Sequence, residues 1–117
     1  IIERLRQQGV TVPIIGFPRA IGNRVTEFVA HTGVDAVGLD QSVDLAWACD
    51  AVPEHVVTQG NLDPSVLVQG GVELDRAVEN IVEITHGRKH IFNLGHGIVP
   101  QTPPENVQRV LEIIKAV

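Results

Sequence analysis

An α/β fold built from repeated strand–helix units is what this sequence predicts, and three observations predict it. Four short, largely continuous apolar runs recur along the chain. Segments with helical spacing separate them. Glycines and polar residues cluster just after the runs, at Pro18-Arg19, Asp40-Gln41, Asn61-Leu62-Asp63-Pro64 and Gly95-His96-Gly97. Continuous rather than alternating runs suit a parallel sheet covered by helices. Repeated β/α units lead to a doubly wound sheet or to part of a (β/α)8 barrel. Both architectures carry their sites at the C-terminal ends of the strands.

The elements follow in order. Ile2 to Gln8, closed by Gly9, reads as the end of a helix. Val12 to Phe17 is the first apolar run and Asn23 to His31 a short helix. Ala36 to Leu39 is the second run, followed by a helix over Ser42 to Asp50. Val56 to Gly60 is the third run. Glu73 to Thr85 then carries Leu74, Ala77, Val78 and Ile81 at i, i+3, i+4 and i+7. His90 to Leu94 is the fourth run. The last helix has Thr102 as N-cap, Pro103 at N1 and Glu105 at N3, a capping box. Its expected buried stripe is Val107, Val110, Leu111 and Ile114. A complete barrel needs about 250 residues. Four units are half of one, with two open strand edges that require cover.

Composition narrows the function classes. The 117 residues are 44% apolar and 20% charged, ordinary for a globular domain. No apolar run approaches the roughly 20 residues of a membrane helix, so no membrane partner is expected. A net charge of −5 argues against a general nucleic-acid binder. It equally means that an acidic small molecule would need local cationic groups. The single Cys49 excludes an internal disulfide and fits a reducing cytoplasm. The first residue is Ile1 and there is no Met, so residues upstream of this segment are expected.

Four places invite chemistry. Gly95-His96-Gly97 follows the fourth run directly; the glycines permit close backbone approach, and the imidazole can donate, accept or carry charge. The alternative is a turn whose histidine is merely solvated. Arg19, after the first run, would clamp a carboxylate bidentately, or it is an ordinary loop arginine. Asn61 and Asp63 would shape an Asx turn before Pro64. Asp40 would bind substrate or cap the next helix. His86 and His90 have metal-pair spacing, but Gly87-Arg88-Lys89 between them reads as a solvated turn. Trp47 and Cys49 sit in a helix with packing as their default role. No P-loop, GxGxxG or zinc-type cysteine cluster is present, so no nucleotide, metal or other cofactor is expected.

Taken together, Gly38-Leu39-Asp40, Gln59-Gly60-Asn61-Leu62-Asp63-Pro64, Asn93-Leu94-Gly95-His96-Gly97 and Pro103-Pro104-Glu105-Asn106-Val107 resemble the uroporphyrinogen decarboxylase family, in that order. Phe17-Pro18-Arg19 resembles its bacterial form. The resemblance spans essentially the whole chain and implies one domain over residues 1–117, the C-terminal half of a (β/α)8 TIM barrel. It implies a cofactor-free cytoplasmic lyase, typically a homodimer. Such an enzyme removes the four acetate carboxylates of uroporphyrinogen to give coproporphyrinogen in haem and chlorophyll biosynthesis. The family's substrate-contacting histidine falls on His96; Arg19 is a second substrate-binding candidate. The family's other principal residues lie upstream: an arginine-rich segment, an aspartate at the pyrrole N–H groups, a tyrosine and a serine or threonine. No catalytic residue is therefore assigned here, and the chain alone is expected to lack decarboxylase activity. One departure is Gln41, where the family usually has Trp.

Two other readings compete. Corrinoid- or cobalamin-linked methyltransferases share the barrel, but look zinc-dependent, with a cysteine where this chain has His96; zinc activation of a thiol needs such soft ligands. A non-catalytic half-barrel would instead bind a partner, or a second copy, through its open edges.

Overall fold

The structure is a computed structural model describing residues 1–117. Six helices and four strands follow in order, one helix more than expected: α1 (Ile2–Gln7), β1 (Ile15–Gly16), α2 (Val25–Thr32), β2 (Ala36–Leu39), α3 (Leu45–Ala51), β3 (Val57–Leu62), α4 (Pro64–Gln69), α5 (Gly71–Ile84), β4 (His90–Leu94) and α6 (Pro104–Lys115). All strand pairs are parallel and the sheet order is β1-β2-β3-β4. A doubly wound sheet reverses its strand order at a switch point. Here the order follows the sequence without reversal, which is consistent with consecutive units of a (β/α)8 barrel. No helix is long and apolar enough to cross a membrane.

One side of the sheet holds the core. Val37, Leu39, Leu62, Leu74 and Val78 are almost fully buried in a cluster to which every helix but α1 contributes; Ile2 of α1 packs against it, partly buried. In β3 the buried residues are Thr58, Gly60 and Leu62, while Gln59 and Asn61 on the opposite face are only half-buried. Ile91 and Asn93 of β4 pair in register with Gln59 and Asn61 and are exposed. The sheet therefore has one face covered by helices and one face accessible to solvent.

Several expectations were displaced, each for a local reason. Strand β1 is two residues long rather than six. Pro13 has no N–H to give a ladder, and the chain before β1 is held by side chains instead. Asp35 accepts the Ile14 N–H (2.8 Å), and Arg6 donates to the Val10 and Val12 carbonyls and to Asp35. Helix α4 was not foreseen, although Asp63-Pro64 carries its signal. Asp63 caps it, accepting the Ser65 N–H (2.8 Å), and Pro64 takes the first position. The capping box on α6 does not form. Pro103, preceding Pro104, is held extended and becomes the N-cap, so the helix starts one residue late. The Thr102 hydroxyl is buried without a partner. The α6 stripe is also rotated. Val110 and Ile113 are buried, whereas Val107 and Leu111 face an apolar groove beside β4, the free edge of the sheet. The side chain of Asn106 anchors α6 instead, donating to the Leu67 and Val68 carbonyls at the end of α4 (2.7 and 3.2 Å). Trp47 is 36% exposed, so of the two α3 residues expected to pack only Cys49 meets the core.

His90 corrects another expectation. His86 is exposed in the turn after α5, but His90 opens β4 and is half-buried, its Nδ1 2.8 Å from the Thr58 hydroxyl. Its Nε2 is buried without a partner. Burial pushes the His90 pKa below its ordinary value, and the Arg88 charge pushes it the same way; the Gly60 carbonyl opposes them weakly. Below a pH of about 6.5 the unfolded chain takes up a proton that the fold resists. Stability contributed by His90 is thus complete above about pH 6.5 and lost as pH falls toward the depressed value. Urea midpoints at pH 7.5 and 5.5 should show this loss, at most about 1.4 kcal/mol per pH unit from this one site. His90→Phe should flatten that slope. An unchanged slope would show that His90 does not set it.

Candidate functional site

The strand ends meet in one rim. After β1 the chain turns through Pro18, Arg19 and Ala20, the last at φ +63. After β2, Asp40 is buried at 6% exposure. One of its carboxylate oxygens accepts the Ser42 N–H (2.9 Å) and the Ser42 hydroxyl; the other accepts the Ala20 N–H (2.5 Å). Burial alone would raise the Asp40 pKa, but the Ser42 and Ala20 donors, with Arg19 nearby, hold it below the usual carboxylate value. Neither expected role of Asp40 is shown. Asp44 caps α3, accepting the Trp47 N–H (3.1 Å), because it stands directly before the first helical residue.

Asn61 lies at φ +86 near the end of β3 and forms no Asx turn of its own. Its side-chain amide crosses to the β2–α3 loop, donating to the Asp40 and Val43 carbonyls (2.9 and 2.8 Å). Beyond β4, Gly95 lies against Gln41. A Cβ at this glycine would overlap the Gln41 backbone nitrogen and side-chain oxygen, so a close approach of two loops requires it. The residue that departs from the resembled pattern is thus where the β2 and β4 loops touch.

These loops bound an open depression of about 440 Å³ on the accessible face of the sheet. Phe17, Gly38, Gln59, Asn93, His96 and Ile98 line it. His96 is half-buried, and its Nδ1 is 3.1 Å from the Gly97 carbonyl. A carbonyl only accepts, so Nδ1 carries the proton in that contact. Nε2 is then left with no protein partner and, in the neutral ring, with an open lone pair. Arg19 does not line the depression. It is exposed, two residues beyond Phe17, and its guanidinium makes no hydrogen bond or ion pair. The structure thus brings His96 to the depression and leaves Arg19 outside its lining. Phe17, Gly38 and Gln59 were not singled out as lining residues. A large aromatic at a strand end followed by Pro18 was the available signal for Phe17. A Cβ on Gly38 would stand 2.9 Å from the Phe17 ring, so the glycine lets the ring lie against the sheet. No group of three or more His, Cys, Asp and Glu side chains is placed to hold a metal ion.

Comparison with known proteins places this arrangement. A family model described as Uroporphyrinogen decarboxylase (URO-D) matches residues 1–117. A uroporphyrinogen decarboxylase of Acidiphilium cryptum is 50% identical over 116 residues, covering 99% of this chain and 32% of that protein. Those of Granulibacter bethesdensis and Rhodospirillum rubrum are 48% and 47% identical, covering 100% and 99% of this chain and 34% and 33% of theirs. The chain spans about a third of the length of the curated relatives it matches. With its full length matched by the family model, the chain belongs to the uroporphyrinogen decarboxylase family.

Proposed function

We propose that residues 1–117 are one domain, four consecutive β/α units of a (β/α)8 barrel, and form one wall of a site that decarboxylates uroporphyrinogen. The observation that carries this reading is the position of His96. It sits on the loop after a strand, lines a depression on the accessible sheet face, and keeps Nε2 free of protein partners. In a barrel that face is the interior, and its strand-end rim is where sites form.

The chemistry asks for little covalent help. Protonating a pyrrole ring carbon creates the electron sink. The bond to the acetate carboxylate then breaks, its electron pair flows into the ring, and CO2 leaves. The resulting exocyclic methylene takes up a proton while the ring gives one back, and a methyl group replaces the acetate. Repeated four times, this yields coproporphyrinogen. His96 would hydrogen-bond the substrate through Nε2, and Arg19 would pair with one of its carboxylates. The chain's net charge of −5 fits a segment that does not itself supply most of the cations such a substrate needs.

His96→Asn in the complete enzyme tests the reading. The complete enzyme should convert uroporphyrinogen to coproporphyrinogen under anaerobic conditions. The variant should keep its fold and lose about tenfold in kcat/KM, the worth of one hydrogen bond accepted at Nε2. Unchanged kinetics with every acetate-bearing intermediate would remove His96 from the site. No turnover by the complete enzyme would remove the function.

A further inference from the structure

The buried aspartate beside the site carries one more step. An Asx turn needs only the Ser42 N–H. Asp40 closes that turn with one oxygen, yet spends its other oxygen on Ala20, twenty residues earlier and in a different loop. Ala20 is held at φ +63, a region an alanine adopts only under constraint. The residue before it is Arg19, whose guanidinium has no partner in the protein. Asp40 is itself held from behind, because Asn61 donates to its backbone carbonyl. One anchored carboxylate thus fixes the backbone of the β1 loop while leaving that loop's cation free.

We propose that Asp40 is a positioning residue: it holds the Arg19 loop in the one conformation that presents the guanidinium to a carboxylate-bearing substrate at the rim. The inference rests on the reading of Arg19 as a substrate contact. It differs from both roles expected of Asp40, since its carboxylate oxygens go to Ala20 and Ser42 and the α3 cap is Asp44. Direct pairing with Arg19 would spend the cation; holding the neighbouring N–H instead keeps it available. Charge reinforces the geometry, because the Asp40 carboxylate lies close enough to Arg19 to feel its field.

The test uses the complete enzyme and steady-state kinetics with uroporphyrinogen. Arg19→Ala should raise KM about tenfold or more with kcat little changed. Asp40→Asn should raise KM in the same direction. In the Arg19→Ala background it should add nothing, because the cation it positions is gone. Ser42→Ala, a milder change that removes the hydroxyl from Asp40 Oδ1 and leaves only the residue 42 N–H to hold it, should raise KM a few-fold and keeps the inference testable where Asp40→Asn does not fold. A purely structural Asp40 would instead lower the yield of active protein at constant KM, and that result overturns the inference. If Arg19→Ala raises KM while neither Asp40→Asn nor Ser42→Ala does, the positioning role fails and the Arg19 contact stands. If Arg19→Ala leaves KM unchanged, both fall.

Discussion

Replacing Gly60 by alanine is expected to destabilise the protein by about 3–5 kcal/mol, the sum of backbone strain and overpacking. Gly60 sits in the interior strand β3 at φ +104, where side-chain-bearing residues are strained. An added Cβ would stand 2.7 Å from the Leu39 carbonyl oxygen on one side and 3.0 Å from the Leu94 carbonyl oxygen on the other. Both obstacles are backbone in neighbouring strands, so neither can rotate away. Relief would require β2 and β4 to separate, and the sheet core with them. Gly97→Ala is the control. A Cβ there meets nothing within 4 Å, and the change should stay within about 0.5 kcal/mol. Urea denaturation followed by circular dichroism compares the two. Equal midpoints would mean that the β3 backbone relaxes in a way its neighbours do not permit here.

The second large effect is expected at Arg88. Its guanidinium donates to the carbonyls of Cys49 (3.0 Å), Val52 (3.3 Å), Pro53 (3.4 Å) and Val56 (3.0 Å). One side chain therefore satisfies the C-terminal end of α3 and the approach to β3, where carbonyls have no partner within the helix. Arg88→Met keeps much of the apolar stem and removes every donor. The expected loss is about 2–4 kcal/mol, since charge-assisted bonds are lost and part-buried carbonyls are left unpaired. Arg88→Lys should recover only part of it, because an ammonium cannot reproduce the planar fork. The same variant has a second readout. Removing the Arg88 charge takes away one cause of the depressed His90 pKa, so the acid destabilisation that starts near pH 6.5 should be smaller in Arg88→Met and end at a higher pH. An unmoved urea midpoint would show that these carbonyls are served by water instead.

The β/α alternation was legible in the sequence because it rests on local patterns. β2 and β4 occupy the expected residues, and α5 buries Leu74, Val78 and Ile81 as its spacing requires. What failed locally failed through proline geometry. Pro13 shortened β1, and the Pro103-Pro104 pair moved the start of α6. Helix α4 was overlooked because Asn61-Leu62-Asp63-Pro64 was read only as a polar loop, though an aspartate before a proline also starts a helix. Of the rim, His96 could be read from its place after the fourth run. The contacts of Asp40 with Ala20, Asn61 with Asp40, and Gly95 with Gln41 could not, because each joins residues at least twenty apart in the chain.

The sequence by itself determined the class of fold, its four units, the strand ends on which most of the motifs fall and the family to which they point. Those conclusions depend on apolar spacing, turn chemistry and motif order, all of which are written along the chain. Only the tertiary structure decided what Arg88, His90 and Asp40 do. Arg88 lies in a stretch that reads as a solvated turn, yet it clamps four carbonyls; His90 opens the fourth run, and its half-burial against Thr58 is visible only in the fold. Asp40 reads as a substrate ligand or a cap, yet it binds the backbone beside Arg19. Charged and polar side chains are assigned by whichever donors and acceptors the fold brings within about 3 Å, and parallel strands joined through helices bring together residues that are distant in sequence.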